Sequence, residues 1–106
     1  MKHRLYLKST LALEQLAEEI NRVALSGFTR SFRDELNRGG GNYCSFLSEN
    51  AEVLLVHNDG RRPDMFVPAR ATFAYYCYLW AGQDQILEAA HVAMRNHGID
   101  CFLEPT

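Results

Sequence analysis

The chain has little of what most readily betrays chemistry. Its three cysteines, Cys44, Cys77 and Cys101, lie far apart in sequence. No Cys-x-x-Cys pair occurs, which removes zinc-ribbon and thioredoxin-like sites. There is no Gly-Lys-Ser/Thr loop, no Gly-x-Gly-x-x-Gly running into a helix, and no His-Glu-x-x-His. Of the four histidines, His3, His57, His91 and His97, the last two are six residues apart on a helical pattern and share no face well. His3 and His57 fall on strand patterns, where a meeting across a sheet stays open. No stretch approaches the roughly 20 apolar residues that span a bilayer. The opening "MKHRLYLKST" lacks the apolar core of a signal peptide. Net charge is only −2, so the basic stripe of a general nucleic-acid binder is missing. These absences lead to the expectation of a cytoplasmic chain with reduced cysteines, no metal, no cofactor, no nucleic-acid partner and no membrane.

What is present suits a folded domain. The 106 residues, 47% of them hydrophobic, match one domain spanning 1–106 with a core of its own. Residues 3–8 alternate as a half-buried strand, with Leu5 and Leu7 on one side. Ser9 and Thr10 offer an N-cap. Leu13, Leu16, Ala17, Ile20, Val23 and Ala24 then form a helical stripe. Residues 28–38 are ambiguous, and Phe28, Phe32 and Leu36 fit a short helix. Residues 42–48 and 51–57 predict two strands joined by a tight turn at Glu49-Asn50. Residues 58–72, with Asn58-Asp59-Gly60, Pro63 and Pro68, predict a loop. Residues 73–82 predict a strand ending at Gly82. A helix follows, with Ile86, Leu87, Ala90, Ala93 and Met94 on its apolar face and Gly98 as its stop. Residues 99–104 predict a last strand. The order implies an α+β two-layer sandwich, a mainly antiparallel sheet with two helices on one face, related to the ferredoxin-like arrangement with an extra strand or short helix in the middle.

The glycines of "RGGGNY" invite a phosphate-loop reading, but they lead into a strand. A phosphate loop feeds a helix, whose free N–H groups meet the anion. Gly39–Gly41 are expected to serve as a strand entry.

Two stretches carry candidate function. In "HNDGRRPD", His57, Asp59 and Asp64 offer acid/base groups, and Arg61 and Arg62 offer anion contacts. No nucleophile, base and orienting group stand together, and a solvated turn with cancelling charges is the plainer alternative. In "FAYYCYLW", period-two geometry separates Phe73, Tyr75, Cys77 and Leu79 from Ala74, Tyr76, Tyr78 and Trp80. The first set is more apolar and is assigned to the core. Tyr76, Tyr78 and Trp80, joined by Tyr6, are then expected on the open face, the composition of a protein-binding hot spot. Cover by the 58–72 loop or by a dimer partner is the alternative.

The layout "LYLKSTLALEQLAEEI", "GGGNYCSFLSENAEVLLVHND" and "ATFAYYCYLWAG" resembles the small cytosolic immunity proteins of bacterial polymorphic and contact-dependent inhibition toxin systems. The resemblance implies a non-enzymatic, stoichiometric inhibitor, monomeric or weakly dimeric, that blocks a cognate toxin domain, in many such systems a nuclease. It implies contacts through Tyr6, Tyr76, Tyr78 and Trp80 and through His57, Asp59, Arg61, Arg62 and Asp64. A phage- or host-encoded inhibitor or adaptor, or a hydrolase using the 57–64 loop, are the alternative functions.

Overall fold

Six strands form one sheet in the order β2-β3-β4-β5-β1-β6, every neighbour antiparallel. The computed structural model describes residues 3–33, 43–59 and 66–104. The elements are β1 (Arg4–Leu7), α1 (Leu13–Val23), β2 (Thr29–Arg33), β3 (Tyr43–Leu47), β4 (Glu52–His57), β5 (Tyr75–Ala81), α2 (Gln85–Asn96) and β6 (Cys101–Glu104). Strands β5 and β6 both run antiparallel to β1, which lies between them, so β5-α2-β6 is a split βαβ unit, the feature shared with ferredoxin-like folds. Both helices bury their apolar stripes on one face of the sheet. Leu13, Leu16, Ala17 and Ile20 of α1 and Leu87, Ala90 and Met94 of α2 enclose Leu5, Leu7, Phe46, Val53, Leu55, Cys77 and Leu79. The fold is thus an α+β two-layer sandwich. Among the described residues no helix is long and apolar enough to cross a membrane.

Helix ends follow local chemistry. Helix α2 ends in a Schellman motif, with Gly98 at φ 78°. The Ile99 N–H reaches the Met94 carbonyl at 3.0 Å and the Gly98 N–H reaches Arg95 at 3.1 Å. Helix α1 starts later than Ser9 and Thr10 suggest. Its N-cap is Ala12, whose backbone N–H donates to Gln15 Oε1 at 3.3 Å, while Ser9 Oγ accepts from the Leu11 N–H. The β3–β4 hairpin forms at Glu49-Asn50, closed by the Ser48 N–H to the Ala51 carbonyl at 2.9 Å.

Residues 29–33 are strand, not helix. A four-residue spacing such as Phe28–Phe32 puts both rings on one side of a helix and equally of a strand, and pairing with β3 decides the outcome. Leu36 and Gly39–Gly41 lie outside the described residues, as do Arg61, Arg62 and Asp64.

Candidate interaction surface

On β5 the two sets of side chains separate as period two requires. Tyr75, Cys77 and Leu79 enter the helix-side core, and Tyr76 and Tyr78 stand on the far face. Phe73 departs from its set. The strand begins at Tyr75, and Phe73 precedes it and packs on the far face.

The far face is not open along its length. Tyr6 is 0% and Tyr76 2% exposed, against the expectation of a solvent-facing cluster. They form a second core with Tyr43, Leu54 and Val56, which Val67, Phe73 and Tyr78 partly cover. The cover is a strap, residues 66–74, that includes a single 3-10 turn at Pro68–Arg70. One residue anchors it. Asn58 Nδ2 donates to the carbonyls of Arg70 at 2.9 Å and Phe73 at 3.1 Å, and Oδ1 accepts from the Val67 N–H at 2.8 Å. Arg70 adds an ion pair to Glu104, and its guanidinium lies 5.0 Å from the Phe102 ring and 5.9 Å from that of Tyr6. The Tyr6 hydroxyl donates to Glu104 Oε1 at 3.3 Å. Burial pushes the Tyr6 phenol up from its ordinary value, with Arg4 opposing and Glu104 adding to the rise.

Beyond the strap, the face opens. Tyr78 is half-buried, Trp80 is 50% exposed and Leu47 46%. A β-bulge falls at Trp80. Glu52 pairs with Ala81 and Val53 with Leu79, so Trp80 is the extra residue of β5. Leu47 pairs with Glu52, which puts it two strands from β5, about 10 Å across. Between them lies a polar seam. The buried Ser45 hydroxyl donates to Glu52 Oε2 at 2.6 Å, and Arg33 Nη1 lies 3.8 Å from the same oxygen.

Of the loop candidates, the two that are described, His57 and Asp59, do not join this patch. Glu52 and His57 mark opposite ends of β4, about 17 Å apart at strand rise. His57 pairs with Tyr75, its ring tilted against the tyrosine ring at 4.9 Å between centroids, half-buried on the helix side, and Asp59 is half-exposed. His3 and His57 do not meet. Leu7 and His57 both pair with Tyr75, whereas His3 precedes Arg4 at the other end of β1. The His3 ring instead bridges to α2, with Nδ1 3.7 Å from Asp84 and Nε2 3.3 Å from Glu88.

The thiols sit in the core. Cys44, Cys77 and Cys101 are free and buried. Burial pushes Cys44 up to about 12, with Arg30 opposing, and raises Cys77 and Cys101 as well. A thiolate nucleophile is disfavoured at each.

Three contributors escape a reading of sequence alone: Asn58 as a clamp, Leu47 as an exposed apolar side chain, and the Arg70–Glu104 pair. Only Asn58 carries a signal, because asparagine habitually hydrogen-bonds nearby backbone in turns. No family model, no curated protein and no solved structure matches the chain.

Proposed function

We propose that the protein is a non-enzymatic inhibitor of the immunity type, which neutralises a cognate toxin domain by one-to-one binding. The observation that carries this reading is Trp80, the only tryptophan, held half-exposed at a β-bulge beside Tyr78 and opposite Leu47. Bulges re-aim side chains and recur at functional sites. A tryptophan and a tyrosine on a rigid sheet present large contact area at little entropic cost, which is the character of a hot spot. Tyr6 and Tyr76 support that surface from beneath the strap. His57 and Asp59, at the other end of β4, take a peripheral role.

The test is co-expression with the toxin domain encoded beside this chain, together with titration calorimetry. Growth rescue and a one-to-one complex are expected. Because Trp80 is the sole tryptophan, its emission should shift to the blue as the partner covers it. Trp80→Ala should weaken binding about 30-fold or more, equivalent to 2 kcal/mol, with an unchanged melting temperature. Full affinity in Trp80→Ala, or no rescue against any toxin encoded nearby, would sink the proposal.

A further inference from the structure

The β1–β6 end of the far face gathers cations. Period two puts Arg4, Tyr6 and Lys8 on one side of β1, and the strap brings Arg70 beside them. Each cation lies over a ring: Arg4 5.7 Å from Tyr76, Lys8 5.4 Å from Phe73, and Arg70 5.0 Å from Phe102. Glu104 is taken up by Arg70 and the Tyr6 hydroxyl. Asp100 shares a shallow depression with Lys8. Among the described residues, three cations against two carboxylates leave surplus positive charge, in a chain whose net charge is −2. Among the described residues neither Arg4 nor Lys8 has a carboxylate within ion-pair distance, and both are exposed. Phe102 adds an apolar ring that is 41% exposed.

We propose that this end of the sheet receives a carboxylate-rich segment of the partner protein, with Arg4 and Lys8 meeting its acidic side chains and Phe102 seating an adjoining apolar one. The surface is continuous with the contact proposed above, since Arg4 pairs with Tyr78, and the inference rests on that reading. Carboxylates suit the site better than nucleic acid. The rings that bases would stack on already carry cations, and the chain as a whole is acidic. Exposed cations of this kind steer encounter and set salt dependence.

The probe is a decaglutamate peptide added to isotopically labelled protein and followed by amide chemical shifts. At low salt the shifts should cluster on Arg4, Lys8 and Phe102. Affinity should fall roughly tenfold in the Arg4→Gln/Lys8→Gln double variant, and high salt should abolish it. Trp80→Ala should bind the peptide as well as the parent does, so failure of the hot spot and failure of this site are separable. Shifts centred elsewhere would overturn the proposal. So would tighter binding of an oligothymidylate than of the peptide. Concentration-dependent self-association that the double variant abolishes would also overturn it, by giving the site to the acidic Glu14–Glu18–Glu19 face of a second copy.

Discussion

Removing the Asn58 side chain tests whether the strap is a built part of the fold. The residue is 3% exposed and makes three side-chain hydrogen bonds to strap backbone, while its own N–H donates to the Ala74 carbonyl at 2.8 Å. In Asn58→Ala those three bonds vanish. The Arg70 carbonyl keeps the Phe73 N–H as a partner, but the Val67 N–H and the Phe73 carbonyl lose theirs. A net bond contributes about 1 kcal/mol, and an orphaned buried group costs about 1–3 kcal/mol. One lost bond and two orphaned groups, both on half-buried residues and so at the lower part of that range, give an expected loss of about 3–5 kcal/mol, a large share of the roughly 5–15 kcal/mol that holds a domain together. Asn58→Asp keeps the acceptor for Val67 but sets a carboxylate oxygen against two carbonyls, so it should cost at least as much. Urea unfolding measures the loss. Hydrogen exchange locates it: the Arg70, Ala71 and Phe73 amides, bonded within the strap, should lose protection before those of β3 and β4. If both variants unfold within 0.5 kcal/mol of the parent and strap protection persists, the clamp is not what holds the strap.

Gly82→Ala should destabilise by about 1–3 kcal/mol, because Gly82 sits at φ 117° and an added Cβ would lie 2.8 Å from Ala51 Cβ. A denaturation midpoint equal to the parent's would contradict this. The three thiols should resist a thiol reagent in the native protein at pH 8 and react in full once it is unfolded. Their folded values lie above the ordinary 9.0, so their contribution to stability is complete below pH 9 and declines as pH rises toward 12. Replacing all three with alanine or valine should flatten that alkaline decline. An unchanged slope would refute the assignment.

Period two was enough to sort Tyr75, Cys77 and Leu79 from Tyr76 and Tyr78, because a one-residue slip would put every apolar side chain in water. It says nothing of what lies above the far face. That depends on Asn58 reaching residues 9 to 15 positions away, and no local pattern encodes such a distance. Phe28 and Phe32 left their segment ambiguous for a different reason, since their spacing satisfies helix and strand alike. Alternation places Trp80 on the far face with Tyr78, but the register shift between Glu52 and Val53 beside it cannot be read from β5 alone. The same geometry narrows the surface. Tyr6 and Tyr76, once beneath the strap, have no area to offer a partner unless the strap leaves, and leaving would break the Asn58 and Glu104 contacts together. A partner that covers the aromatic face without that cost meets it where the strap stops, at Tyr78, Trp80 and Leu47. Trp80→Ala and Asn58→Ala should therefore separate cleanly, the first losing affinity with the fold intact, the second losing stability while the tryptophan contact survives in whatever fraction remains folded.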